Sequence, residues 1–222
     1  MAMAESGWTK EKTVEFIAIQ KDMDTKEKLG QYFDEWAPNY DQAVTSMGYI
    51  GPSLTANLLQ KYVKSKDARI FDVASGTGLV GEVLAGSGYT NIDAVDGSAA
   101  SIEVARKKNI YTNLYVQWLG GDNKLNINND SYDAIICVGA FAFNQLESDV
   151  LPEFIRVVKP GGYILINMRT RWLRLVSQFS DGKLEGDMAK LENEGKWKLV
   201  ERHVKEEKDS EQNVVTFIHQ IC

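Results

Sequence analysis

The stretch DVASGTGLVG, residues 72–81, decides the fold that this sequence predicts. A short apolar run at residues 70–74 leads into it, and a helical pattern at residues 79–84 follows it. Glycines at such a point allow a tight turn and let a ligand approach the backbone closely. The N-terminus of the following helix offers free N–H groups and a partial positive charge. We therefore expect a polar or anionic ligand group at this loop, although a tight turn without any ligand is the plainer alternative.

Short apolar strands alternate with helical segments beyond this loop. Strands are predicted at residues 70–74, 92–96, 114–119, 132–138 and 163–168, and helices at 79–84, 98–108, 150–158 and 184–194. This order is typical of a parallel sheet with helices on both faces. Two last strands, at 197–204 and 214–221, are joined by a charged loop that suits an antiparallel hairpin. The predicted fold class is α/β, a Rossmann-like, seven-stranded and mostly parallel sheet.

Length and composition limit the function classes. The chain has 222 residues, 25 Lys and Arg against 31 Asp and Glu, and a net charge of −6. We expect one domain over residues 1–222, with an N-terminal helical lid at 1–60 and a core at 65–222. The acidic balance argues against a nucleic-acid partner. No apolar run approaches the ~20 residues of a membrane span. Two cysteines cannot form a disulfide framework, which points to a reducing, cytoplasmic location.

The glycine loop fits two cofactor motifs. Gly76, Gly78 and Gly81, with Asp96 about 20 residues after the first of them, match a dinucleotide fingerprint. The alternative is an Asp72-x-Ala74-x-Gly76-x-Gly78 pattern, in which Asp72 suits a cationic amino group. The segments Gly-Asp-Asn at 121–123 and Lys-Pro-Gly-Gly at 159–162 favour this second pattern. A dehydrogenase would also need a hydride-site acid or base, and no Tyr-x-x-x-Lys pair is present.

The second pattern resembles that of class I S-adenosylmethionine-dependent methyltransferases, and the resemblance covers about residues 65–222. The stretch YFDEWAPNYDQ at 32–42 resembles a methyltransferase-like branch of that class. Further segments that carry the likeness are DVASGTGLV at 72–80, VDGS at 95–98, YDA at 132–134, VGA at 138–140 and KPGG at 159–162. Ala74 departs from the glycine that is usual at the start of the class motif.

The resemblance implies S-adenosylmethionine as cofactor and S-adenosylhomocysteine as product. Asp96 would accept the two ribose hydroxyls, and the glycine loop would border the methionine and ribose portions. Asp122 and Asn123 would reach the adenine, and Val138 and Gly139 would lie beneath the methyl donor. The full set of predicted cofactor residues is Asp72, Ala74, Ser75, Gly76, Gly78, Asp96, Gly97, Ser98, Asp122, Asn123, Val138 and Gly139. Two plainer alternatives stay open: Asp96 as a cap of the following helix, and Asp122 as a turn residue.

Aromatic residues near the N-terminus form a candidate lid. Tyr32, Trp36 and Tyr40 recur at a spacing of four, so they either pack on the sheet or cover the two reactants. A lid would exclude water, and aromatic faces attract a sulfonium. Phe141 and Asn144, which follow the fourth strand, are candidate acceptor contacts.

Three arginines follow the fifth strand. Arg169, Arg171 and Arg174, with Trp172 among them, either form a solvated basic face or bind an acidic acceptor or an RNA phosphate. No metal site is predicted.

These observations together predict in-line methyl transfer to a small-molecule acceptor by a monomer or weak homodimer. The donor already carries the activation, so the protein mainly supplies alignment and a dry site. Two other functions remain open. One is an NAD(P)-dependent oxidoreductase, and the other is a methyltransferase-fold protein that binds cofactor and regulates a partner without catalysis.

Overall fold

The structure is a computed structural model that describes residues 22–208 and 212–222. The strands in this part of the chain are β1 Ile70–Val73, β2 Ile92–Asp96, β3 Asn113–Val116, β4 Tyr132–Val138, β5 Val158–Arg169, β6 Trp197–Lys205 and β7 Val214–Ile221. The α-helices there are α1 Lys26–Trp36, α2 Tyr40–Ser46, α3 Gly51–Tyr62, α4 Leu79–Gly86, α5 Ala99–Lys107, α6 Leu151–Val157, α7 Trp172–Leu175 and α8 Lys183–Asn193. Two 3-10 turns cover Ala37–Asn39 and Ser148–Val150.

All seven of these strands belong to one sheet with the order β3-β2-β1-β4-β5-β7-β6. The first five strands pair in parallel. Strand β7 pairs antiparallel with β5 on one side and with β6 on the other. The predicted Rossmann-like sheet with a C-terminal antiparallel hairpin is therefore confirmed. The carboxyl ends of β1, β2, β4 and β5 meet at one edge, where open α/β sheets bind ligands.

Alternating side chains of the central strands build the core on both faces of the sheet. Phe71 and Val73 of β1 belong to one buried cluster, whereas Ile70 belongs to another. This division follows from the two-residue period of a strand. All four residues of β1 are buried, because helices cover both faces around it.

The third and fifth strands differ from their predicted bounds. β3 ends at Val116, three residues early, because the chain leaves the sheet after Gln117 donates its backbone N–H to Asp96 O at 2.9 Å. β5 begins at Val158, five residues early, because Val158 pairs with Tyr132 before a register shift. The early end of β3 matters for the site, since it frees residues 117–119 to face a cavity.

The helices α1 and α2 lie beside the ligand edge. Their buried residues form a small cluster of their own that contains Leu29, Tyr32, Trp36, Ala43 and Val44. α1 packs against α5, the helix that follows β2. Residues 1–21, which belong to the predicted lid segment, lie outside the described residues. None of the helices in residues 22–208 and 212–222 is long and apolar enough to cross a membrane.

Candidate active site

A cavity of about 600 Å³ opens at the carboxyl ends of the parallel strands. Its volume falls in the range of roughly 300 to 1,000 Å³ that is usual for small-molecule sites. The predicted site residues that line it are Trp36, Tyr40, Ala74, Gly76, Asp96, Gly97, Val138, Gly139, Asn144 and Arg169. The structure therefore brings the glycine loop, the candidate lid and two of the three arginines named from sequence for the acceptor, Arg169 and Arg171, into one space.

The glycine loop owes its course to left-handed backbone angles. Gly76 has φ +54°, and a side chain there would point into open space with no atom within 4 Å. Ala74, where the class motif usually has glycine, adopts the same left-handed region with φ +53°. The loop thus leaves room beside Gly76 for a ligand to approach the backbone.

The carboxylate of Asp96 is fixed at the end of β2 by two backbone donors. Its Oδ2 accepts from Gly76 N at 2.8 Å, and its Oδ1 accepts from Ser98 N at 2.8 Å. Burial raises the pKa of Asp96, and these two hydrogen bonds oppose that rise. Since the residue also lines the cavity, its oxygens are held where two neighbouring hydroxyls could donate to them.

Asp72 lies behind the loop and does not line the cavity. Its Oδ2 accepts from Tyr111 OH at 2.6 Å, and burial raises its pKa to about 7. Its Oδ1 and the hydroxyl of Ser75 are buried polar atoms without a hydrogen-bond partner in the structure. Unpartnered buried polar atoms are costly, so this loop suits a ligand that brings polar groups. The residues present therefore fit a cofactor with hydroxyls and a cationic amino group.

Asp34 of α1 is a contact that the sequence pattern did not reveal. Its Oδ1 accepts from Ser98 Oγ at 2.6 Å and from Ala100 N at 3.1 Å. Ser98 in turn caps α5 by accepting from Ser101 N at 3.0 Å. The N-terminal helix is thereby attached to the helix that begins beside Asp96. Ser98 itself is buried under this contact and does not line the cavity.

Asp41 makes a second attachment of the N-terminal segment. Its carboxylate accepts from Thr77 Oγ1 in the glycine loop, and Lys108 Nζ lies 2.7 Å from its other oxygen. Lys108 also pairs with Glu82 of α4 at 2.7 Å. Neither attachment could be read from local spacing, because the partners lie 36 to 67 residues apart.

Residues 117–119 occupy the side of the cavity where adenine contacts were predicted. Gln117, Trp118 and Leu119 line the cavity, whereas Asp122 and Asn123 are exposed and do not. The Trp118 ring packs on Gly97 so closely that a Cβ there would lie 2.5 Å from it. The adenine roles of Asp122 and Asn123 stay predictions, and Trp118 is one of the cavity residues that the sequence motifs do not predict.

The candidate lid residues both pack and line the cavity. Tyr32 and Trp36 are buried, with ring centroids 5.8 Å apart, and Trp36 meets Tyr40 edge to face at 4.8 Å. Trp36 and Tyr40 line the cavity, and Tyr32 supports them from behind. The two interpretations of this aromatic series are therefore compatible.

The opposite end of the cavity combines aromatic, amide and arginine side chains. Asn144, Phe143 and Trp172 line it, and the rings of Phe143 and Trp172 are 5.2 Å apart. Tyr49, which sequence reasoning missed, also lines it, and burial raises the pKa of its phenol to about 12. Phe141 lies in the hydrophobic core instead and does not reach the cavity.

Comparison with known proteins shows which family this chain belongs to. A methyltransferase domain model matches residues 70–162. Methyltransferase-like protein 27 of Homo sapiens is 34% identical over 199 residues, which cover 89% of this chain and 79% of that protein. A ubiquinone/menaquinone biosynthesis C-methyltransferase of Geotalea daltonii is 31% identical over 149 residues, 63% of this chain and 62% of that protein.

A solved structure supports the same fold. The crystal structure of an S-adenosylmethionine-dependent methyltransferase from Aquifex aeolicus matches with a TM-score of 0.55 and 16% identity. The match covers 97% of this chain and 100% of that one. The narrower prediction of a likeness to the methyltransferase-like protein encoded in the Williams–Beuren syndrome region stays a prediction. With the sequence identity to the human relative, the motif and the sheet order in agreement, the chain belongs to the class I S-adenosylmethionine-dependent methyltransferases.

Proposed function

We propose that this methyltransferase acts on a small-molecule acceptor that lies beside the cofactor in the same cavity. The observation that carries the proposal is the continuity of that cavity, which joins the Asp96 end to the end lined by Tyr49 and Trp172. A cavity of this volume admits a cofactor and a small second reactant. The net charge of −6 supports the exclusion of nucleic acid as the acceptor.

The roles of the chain's own residues follow from their positions. Asp96 would hold the ribose hydroxyls, and the backbone at Gly76 and Gly139 would lie against the cofactor. Bound S-adenosylmethionine supplies a methyl group that its sulfonium already activates. The aromatic faces of Trp36 and Tyr40 suit that positive charge and keep water out of the cavity.

The lining favours alignment over general-base catalysis. None of the described residues that line the cavity is a histidine or a cysteine. The phenol of Tyr49, with its pKa raised to about 12, is protonated at neutral pH and is therefore available as a donor but not as a base. We propose that the rate enhancement comes mainly from holding the two reactants in line. No observation favours the oxidoreductase alternative.

Isothermal calorimetry with S-adenosylhomocysteine tests the Asp96 role. Asp96→Asn should weaken binding about 10- to 100-fold, because a hydrogen bond to a charged group contributes about 1.5–3 kcal/mol. Asp67→Asn, an exposed acid in the turn before β1, is the matched control and should bind like the unmodified protein. Unchanged affinity in Asp96→Asn would remove that residue from the cofactor site.

The acceptor class is tested with a labelled methyl group. The protein is incubated with methyl-labelled S-adenosylmethionine in three parallel reactions. One contains a metabolite extract, the second total RNA and the third denatured protein. Label should enter the metabolite fraction and should fall sharply with Asp96→Asn. Label confined to RNA or protein would overturn the small-molecule proposal and leave the family assignment intact.

A further inference from the structure

The charged residues that line the cavity are divided between its two ends. Among the described lining residues, Asp96 is the acid, and Lys26, Arg169 and Arg171 are the bases. Asp96 lies beside the glycine loop, where the proposed cofactor brings hydroxyls and positive charge. The two arginines lie at the other end, after β5. Such a division favours reactants of opposite charge, a cationic donor at one end and an anionic acceptor at the other.

We infer that the acceptor is a small aromatic carboxylate whose acid group binds Arg169. This inference rests on the proposed function and deepens it by naming the acceptor class. The sequence left two interpretations of the three arginines after β5, a solvated basic face or a site for an acidic acceptor, and the inference chooses the second for Arg169. Arg169 and Arg171 line the cavity, whereas Arg174 is exposed and does not line it.

Arg169 is positioned by its strand and by contacts with Gln212 and Tyr49. It ends β5, where it pairs with Val214 of β7. Its guanidinium donates to Gln212 Oε1 and lies 5.7 Å from the centre of the Tyr49 ring. The side chain is half-buried at the cavity wall. A planar guanidinium in such a place matches a carboxylate in two-pronged geometry better than a single ammonium would.

Asn167 adds a second polar anchor on the same side of the strand. It precedes Arg169 by two residues, so both side chains face the cavity. Its Nδ2 donates to Thr216 Oγ1 at 2.8 Å, while its Oδ1 is buried without a hydrogen-bond partner in the structure. Asn167 is only 1% exposed, so a hydrogen-bond donor on the bound methyl acceptor would satisfy its Oδ1. The acceptor should therefore carry a hydroxyl or amine besides its acid group.

Ring surfaces around these anchors define the body of the acceptor. Tyr49 lies on one side, and the edge-to-face pair of Phe143 and Trp172 lines the same end. Arg171 stacks 4.2 Å over the Trp172 ring, which holds that ring at the wall. Such a lining suits a flat aromatic ring. The pairing of Asn167 with Val138 across β4 and β5 places this anchor beside Gly139, where the methyl donor is predicted to lie.

The test is calorimetry on the full chain saturated with S-adenosylhomocysteine. The probes are 4-hydroxybenzoate and indole-3-carboxylate, each compared with its amide and with the corresponding aminomethyl compound. At least one acid should bind about tenfold or more tighter than its amide, as expected for a charge-assisted contact. Equal or tighter binding of the amides or amines would overturn the inference, and so would failure of both acids to bind.

Variants decide whether Arg169 is responsible. Arg169→Gln should bring acid and amide to within about twofold of each other, with the affinity for S-adenosylhomocysteine unchanged. Arg169→Lys should keep part of the acid preference, and Arg174→Gln, the exposed control, should keep all of it. An acid preference that survives Arg169→Gln would overturn the assignment. If the unmodified protein bound no S-adenosylhomocysteine, the proposed function would fail first, whereas cofactor binding without acid preference defeats this inference alone.

Discussion

At the scale of single residues, Asp72 is a buried acid next to the glycine loop whose ionised form is unfavourable in the folded protein. It is 1% exposed, and burial raises its pKa from 3.8 to about 7 while the Tyr111 hydroxyl opposes that rise. The nearby carboxylate of Asp96 raises it further. A cationic ligand group near Asp72 would reverse this cost, since an opposite charge favours the ionised carboxylate.

Replacement of Asp72 by Asn should stabilise the protein at pH 8 and change little near pH 4. The folded-state pKa lies above the unfolded one, so stability is present at low pH and is lost as pH rises from about 4 through 7. The gain in free energy of unfolding should reach up to about 4 kcal/mol at pH 8. Urea unfolding at pH 5 and pH 8 measures it, with Asp67→Asn as control. The same gain at both pH values would contradict this explanation.

Local motifs predicted some site residues and missed others for a physical reason. The positions of Asp96 and Gly76 could be predicted locally. The left-handed backbone of the glycine loop and the helix after it place Gly76 at the cavity, and Asp96 lies at the end of the neighbouring strand. Trp118, Tyr49 and Asn167 were missed, because each reaches the cavity through packing between distant parts of the chain. No spacing rule in the sequence connects Tyr49 to β5.

At the scale of elements, two carboxylates attach α1 and α2 to the edge of the sheet where the glycine loop lies. Asp34 bonds at the N-terminus of α5, and Asp41 bonds to the glycine loop and to Lys108. A carboxylate at a helix N-terminus is favoured by the free N–H groups and by the helix dipole. This N-terminal segment is therefore held by the same elements that shape the glycine-loop end of the cavity.

Asp34→Asn should loosen this segment without unfolding the sheet. The loss of a helix-capping carboxylate typically costs about 1 kcal/mol. Amide hydrogen exchange should accelerate over residues 26–46 and stay unchanged in β1 and β4, and S-adenosylhomocysteine should dissociate faster. Glu35→Gln, an exposed neighbour on α1, is the control. Exchange that speeds up evenly along the chain would show that Asp34 supports the whole fold instead.

At the scale of the whole molecule, the alternation of strands and helices was sufficient to predict the parallel core. The position of β7 between β5 and β6 depends on a long-range pairing of residues 163–169 with residues 214–220. Sequence predicted the hairpin but not which strand would join the sheet. This pairing also affects the cavity, because the lining residue Asn167 donates a hydrogen bond to Thr216 of β7.

Cofactor binding should be visible in the stability of the entire chain. S-adenosylhomocysteine at about 100 times its Kd should add about 2.7 kcal/mol to the free energy of unfolding. For a chain of this size, the melting temperature should rise by about 5–10 °C. NADH at the same concentration should give no rise. A larger rise with NADH would revive the oxidoreductase alternative, and Asp96→Asn should reduce the effect of S-adenosylhomocysteine.

The position of β7 also sets an order of events on the ribosome. Strands β1 to β5 can pair with one another as soon as residue 169 has left the exit tunnel, whereas β6 must wait for a neighbour that is made after it. Until residues 214–221 are made, β5 keeps a bare edge and Asn167 lacks its bond to Thr216. A nascent chain thus completes the glycine-loop end of the cavity first and the β5 end last. A stalled or shortened polypeptide that lacks residues 212–221 would keep the glycine loop, whereas Asn167 and Arg169 would lose their contacts with Thr216 and Gln212.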